Sequence, residues 1–211
     1  EDRFAAKLDW AIRLVLLFGL PASIALVILA DVLIATIFYH GAMTQFDLVM
    51  AGLSPRAYAA GLTAHMMVKV LAPGFFARQD MKTPVKIGII ALVTNMVFNL
   101  VLIGFLGHIG LALATSISAF VNAFLLWRAL SMSSIYRPGA QWLKFIVRIG
   151  LALVLMQGLL LMIVPSLDQW LSYALEDQIL ALFGLCAVGS TLYLITLWLL
   201  GLRVSDFRDQ I

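Results

Sequence analysis

Charge is scarce in this sequence: Asp, Glu, Lys and Arg fill only 12% of the 211 positions, whereas 63% are hydrophobic. A soluble domain of this size needs far less apolar material for one core. With a mean hydropathy of +1.04, the balance points instead to a polytopic membrane protein. Cysteine is almost missing as well. The single one, Cys186, lies in an apolar run, which leaves no disulfide framework or cysteine-based metal site and makes a small buried packing residue its expected role. The three histidines, His40, His65 and His108, lack metal-ligand spacing. There is also no Gly-rich phosphate loop, HExxH pair or GxSxG elbow. Catalysis therefore has little support, and transport is preferred over an ATPase or a membrane hydrolase. No short repeat period is visible, so a solenoid or propeller is not supported.

What the chain has is long apolar runs. A helix needs about 20 apolar residues to cross a bilayer. By that measure the spans are Leu14–Phe38, Ala57–Ala72, Val85–Phe105, Leu111–Leu130, Phe145–Val164 and Ile179–Leu200. The expected fold is all-α, a six-helix membrane bundle. The sequence opens on Glu1, and EDRFAAKLD leads into a span with no cleavable signal, so a piece of a longer polypeptide is expected. Pro21 should kink the first helix, and Asp31 should lie near the outer surface or face a polar cavity. Thr44 with Asp47 reads as a capping signature, and Ser54-Pro55 as a helix start or a kink.

Between the second and third runs lies KVLAPGFFARQDMKTPVK, Lys69 to Lys86, too charged for hydrocarbon and biased toward cations. Pro73-Gly74 should stop the helix before it, and Thr83-Pro84 should start the one after it. Basic residues of short loops concentrate on the cytoplasmic side. With the chain starting in the cytoplasm, Arg3, Lys7, Arg13, Arg78, Lys82, Lys86, Arg128, Arg137, Lys144, Arg148, Arg203 and Arg208 fall inside, and only Arg56 falls clearly outside. Both ends are thus expected in the cytoplasm. This arrangement explains the pI of about 9.2 without invoking nucleic acid. The outer segment VPSLDQWLSYALED places Trp170 and Tyr173 at aromatic-belt depth and reads as a short helix along the surface.

Three groups of residues could carry function. Lys69 and His65 are four apart on one helix face. Lys69 either snorkels to headgroups while His65 bonds a neighbouring helix, or the pair meets an anionic headgroup in a cavity. Arg78 and Lys82 on the basic hinge are the matching gate candidates. Asn95, Asn99 and Thr115 can converge across the turn at Gly107–Gly110, either as interhelical hydrogen bonds or as oxygen ligands for a monovalent cation. Ser116, Ser118 and Asn122 continue that polar stripe, so this face of the fourth helix should meet protein or water. The last two runs carry Gly150, Gly158, Gly184 and Gly189, which suit either tight packing or a groove for a long isoprenoid tail.

KVLAPGFFARQDMKTPVK, the preceding IFYHGAMTQFD and LPASIALVILA together resemble the C-terminal half of the MurJ (MviN) lipid II flippases, of the multidrug/oligosaccharidyl-lipid/polysaccharide exporter superfamily. The resemblance covers essentially the whole chain. It implies fourteen helices in two lobes, of which this chain supplies four of the C-terminal lobe (residues 1–130) and two extra helices (131–211). It also implies alternating access in the bacterial inner membrane, moving undecaprenyl-diphosphate-linked precursor from the cytoplasmic to the periplasmic leaflet. Membrane lipids and the N-terminal lobe of the same protein are the implied partners, and the extra helices the lipid-tail groove. The resemblance also implies that some family members hold a sodium ion between the helices equivalent to the third and fourth, where Asn95, Asn99 and Thr115 stand, with help from a helix not present in this sequence, which makes sodium the one implied cofactor. The neutral Asn99, where a carboxylate is expected, counts against it. A related exporter of drugs or polysaccharide-lipids, and a non-transporting scaffold for cell-wall enzymes, are the rival readings.

Overall fold

The computed structural model describes residues 2–39, 44–77, 79–132 and 141–202, with side chains from residue 5 onward. Arg78, His40, the turn at Gly41, Arg137, Arg203 and Arg208 lie outside the described residues. The described residues form seven helices: α1 (Asp2–Phe38), α2 (Gln45–Phe76), α3 (Lys82–Leu106), α4 (His108–Met132), α5 (Gln141–Ile163), α6 (Leu167–Leu171) and α7 (Leu175–Leu199). All but α6 are long and apolar enough to cross a membrane.

Local chemistry sets some of these limits as expected. Thr44 accepts from the Asp47 N–H at 3.2 Å, and the Asp47 carboxylate accepts from the Thr44 N–H at 3.0 Å, a reciprocal capping box. Other limits fall elsewhere. Pro73-Gly74 does not stop α2, which runs on to Phe76: proline still offers its carbonyl, and the Ala77 N–H reaches that of Pro73 at 3.1 Å. The helix ends where Gln79 turns left-handed, at φ +58°. There the Gln79 N–H reaches the Phe76 carbonyl (3.0 Å) and the Asp80 N–H reaches that of Phe75 (3.1 Å). Thr83 does not cap α3 either. Asp80 does, its carboxylate accepting from the N–H groups of Lys82 and Thr83 at 3.1 Å each. Likewise Ser54-Pro55 lies inside α2, which starts ten residues before Pro55 reaches it.

Packing follows small residues. Ala57, Gly61 and Ala64 of α2 are buried against Ala112, Ser116, Ala119 and Ala123 of α4, and the Ser116 hydroxyl donates to the Ala57 carbonyl at 2.5 Å. A Cβ at Gly61 would lie 2.7 Å from Ser116 Cα. The α3 helix turns back along α4 and buries little else. The α5 helix buries Phe145, Ile149, Ala152, Leu153, Met156 and Leu160, a stripe of helical period, in one cluster with Leu17 of α1 and Tyr193 and Leu197 of α7.

Three hydrogen bonds tie this last group to α1 at three depths. Trp142 Nε1 donates to Asp9 at 2.6 Å, the Tyr193 hydroxyl to the Leu17 carbonyl at 2.8 Å, and Trp170 Nε1 to the Thr36 hydroxyl at 3.1 Å. Trp170 is thus fully buried rather than part of an aromatic belt, since its indole N–H finds its partner inside the bundle. Cys186 is exposed rather than a buried packing residue. Of the four glycines in α5 and α7 only Gly189 packs closely, with Leu160 at 3.2 Å from its Cβ position, while Gly150, Gly158 and Gly184 face open space.

Candidate functional site

On α2, Tyr58, His65, Lys69 and Phe76 form one exposed stripe away from α1 and α4. Neither His65 nor Lys69 is engaged by another side chain among the described residues. Lys82 and Lys86 are exposed at the start of α3, on the same end of the bundle. Asp80 holds its place at that end through hydrogen bonds from Thr83, which keep its carboxyl below the usual carboxylate range. The hinge cations that the structure describes, Lys69, Lys82 and Lys86, are thus exposed around a capped turn, with Lys82 close enough to Asp80 to favour its ionised form.

Asn95, Asn99 and Thr115 do come together. Asn99 Nδ2 donates to Asn95 Oδ1 at 3.0 Å, Asn95 Nδ2 to Thr115 Oγ1 at 3.4 Å, and Thr115 Oγ1 to the Leu111 carbonyl at 2.9 Å. This run of donors leaves one buried side-chain oxygen without a partner among them, Asn99 Oδ1. The α3 and α4 helices hold no carboxylate, so the side-chain oxygens these three residues present are all neutral. Farther along α4, Ser116 is buried against α2 and Ser118 donates to the Thr115 carbonyl, so these two hydroxyls of the stripe are satisfied within the protein, while Asn122 is half-buried.

The opposite end holds a pairing between helices that spacing alone does not reveal. Arg56 Nη2 lies 2.7 Å from Asp31 Oδ2, joining α2 to α1. The other Asp31 oxygen is buried without a partner among the described residues, against Gly52, where a Cβ would collide with it. Nearby, His108 lies 3.2 Å from the Met50 carbonyl, and Gln45 donates to Asp168 at 3.2 Å.

Two of the apolar cavities among the described residues adjoin α1. The larger, about 570 Å³, lies between α1, α2 and α4 under Phe120, Phe124 and Trp127, with the Ser23–Thr63 hydroxyl pair (2.9 Å) on its wall and Gln157 of α5 at its edge. The smaller, about 290 Å³, lies between α1, α5 and α7 beside Pro21, Gly189 and Tyr193. Gln157 and Tyr193 were missed in the sequence because a lone polar residue in an apolar run gives no partner. Pro21, which deprives an α1 carbonyl of its helical donor, was the available signal.

Comparison with known proteins settles the family. The sequence profile described as "Lipid II flippase MurJ" matches residues 1–177. The chain belongs to the MurJ family. It is 42% identical over 208 residues to a probable lipid II flippase MurJ of Vibrio cholerae, covering 99% of this chain and 40% of that protein. To the lipid II flippase MurJ of Burkholderia cenocepacia it is 34% identical over 211 residues, covering 100% of this chain and 41% of that one. The chain thus spans about two fifths of the length of these relatives. A solved structure titled "Lipid II flippase MurJ, inward closed conformation" superposes with a TM-score of 0.72 at 25% identity, covering 92% of this chain and 38% of that one. The MurJ match and the six apolar helices make this a multi-pass membrane protein of a transporter family.

Proposed function

We propose that the chain works as part of a lipid II flippase of the bacterial inner membrane. It moves undecaprenyl-diphosphate-linked precursor from the cytoplasmic to the periplasmic leaflet by alternating access, without covalent chemistry. The observation that carries this reading, beside the family match, is the contrast between two open helix faces. Ile89, Val93, Met96, Leu100 and Phe105 of α3 are exposed and apolar, as a lipid-facing helix requires. The open stripe of α2 instead carries Tyr58, His65 and Lys69, which hydrocarbon does not tolerate, so it faces water or the rest of a longer protein. A lipid-linked diphosphate needs both kinds of surface. On this reading residues 1–130 belong to the C-terminal lobe, and 131–211 add the pair whose groove takes the lipid tail. Asn95, Asn99 and Thr115 act as interhelical hydrogen bonds.

The test uses cells depleted of the intact protein and complemented with it. Lipid II should again reach an impermeant lipid II-cleaving enzyme added outside. Unchanged lipid II exposure with collapse of other cell-wall assembly would make the protein a scaffold, and export of small drugs alone a drug exporter.

The basic end is the cytoplasmic one. A cysteine replacing Met81, 63% exposed, in a Cys186→Ala background should resist an impermeant thiol reagent in intact cells and react after permeabilisation. Labelling without permeabilisation would invert the topology. At this end Lys69, Arg78 and Lys82, with His65 beside Lys69, form the gate that draws in the diphosphate headgroup. Arg78→Glu or Lys82→Glu in the intact protein should lower transport about tenfold or more at normal expression and insertion. Wild-type transport by both would leave these residues as a surface anchor only.

A further inference from the structure

Pro21 has no N–H, so the carbonyl four residues earlier, that of Leu17, loses its helical partner in the middle of a membrane span. An unpaired carbonyl in hydrocarbon is costly, and some other donor must meet it. The Tyr193 hydroxyl does so from α7, at 2.8 Å. Tyr193 is 2% exposed and Leu17 8% exposed, so water does not compete. Pro55 and Pro73 leave the Ala51 and Lys69 carbonyls free in the same way, but among the described residues neither receives a side chain from another helix. The match at Leu17 is therefore particular to this pair of helices. It lies between the Trp142–Asp9 and Trp170–Thr36 bonds, where no other polar contact joins α7 to α1 among the described residues.

We propose that Tyr193 is a positioning residue that docks α7 on α1 by capping the carbonyl Pro21 leaves free, so that Pro21 and Tyr193 act as one unit. The bond fixes the register of the last helix pair and with it the walls of the cavity that Pro21, Ala22, Gly189 and Tyr193 line. Proline supplies the acceptor and tyrosine the donor. Either alone leaves a polar group stranded.

The unit predicts a background-dependent effect. In the intact protein, with Cys186→Ala, a cysteine at Met156 reports detachment, because Met156 is 1% exposed in the cluster that Tyr193 closes. Its modification by a thiol reagent requires local opening. Tyr193→Phe should speed modification about fivefold, the effect of one hydrogen bond. In a Pro21→Ala background, where residue 21 again donates to the Leu17 carbonyl, Tyr193→Phe should change the rate much less. Equal acceleration in both backgrounds, or none in the proline background, would overturn the proposal. If Pro21→Ala does not accumulate, Tyr193→Phe is compared with Tyr193→Leu. The hydroxyl must account for most of the acceleration, and an effect confined to the leucine variant would assign the role to the ring. The rate reports opening and needs no transport, so this outcome is separate from that of the flippase reading.

Discussion

Arg56→Ala should destabilise the folded bundle by about 2 kcal/mol, because it strands the Asp31 carboxylate inside a membrane span. Removing one partner of a fully buried ion pair costs roughly 3–5 kcal/mol. Here Asp31 and Arg56 retain 25% and 35% of their side-chain exposure, so water relieves part of that cost. Asp31 cannot easily turn away, since its second oxygen is already enclosed against Gly52. The reverse deletion is milder. Asp31→Asn leaves an arginine whose long side chain can reach the interface, and the double variant Asp31→Asn with Arg56→Ala should recover most of the loss. Unfolding of the four proteins in mixed micelles measures the coupling. A double variant as unstable as Arg56→Ala would show that the arginine acts through packing and not through the pair.

Gly61→Leu should be the most damaging single change to the core of the bundle. A Cβ there already falls 2.5 Å from Ser116 Oγ and 2.7 Å from its Cα, and backbone, unlike a flexible side chain, cannot move aside. The helices must separate. That breaks the Ser116–Ala57 hydrogen bond and opens the small-residue seam, and with overpacking costs of about 1–3 kcal/mol plus the lost contact the variant should fail to accumulate. Gly61→Ala is the graded version, and Ser116→Gly should partly rescue it by vacating the same space. Gly150→Ala, Gly158→Ala and Gly184→Ala meet nothing within 4 Å and should stay within about 0.5 kcal/mol of the parent. Expression and melting of the series decide it: equal tolerance at Gly61 and Gly150 would mean the seam is not tightly packed.

The features legible in the sequence are those whose physics is local. Six spans follow from run length, and the Thr44–Asp47 box from a three-residue spacing. The convergence of Asn95, Asn99 and Thr115 followed from one turn of helix and a short reversal. Where neighbours compete, local signals mislead. Pro73-Gly74 looked like a stop because the Gln79 turn that ends α2 uses a residue without the usual glycine signature. Thr83 looked like a cap although Asp80, three residues earlier and with an ionised oxygen, accepts from the N–H groups of Lys82 and of Thr83 itself. The pairing of Asp31 with Arg56 and of Tyr193 with Leu17 spans 25 and 176 residues. A proline in an apolar run announces that a carbonyl needs a donor, but not which helix brings it.

The three ties from α5, α6 and α7 to α1 bear on membranes of different thickness. At 1.5 Å per residue, the 37 residues of α1 extend about 55 Å, well beyond a hydrocarbon layer of about 30 Å. A lone helix would meet that mismatch by tilting on its own. Held at Asp9, Leu17 and Thr36, α1 cannot lean without carrying the last helix pair along, nor can that pair slide past it. Thickening or thinning of the bilayer is then taken up as tilt of the whole bundle. The apolar walls between α1, α5 and α7 keep their spacing while their angle to the membrane normal changes.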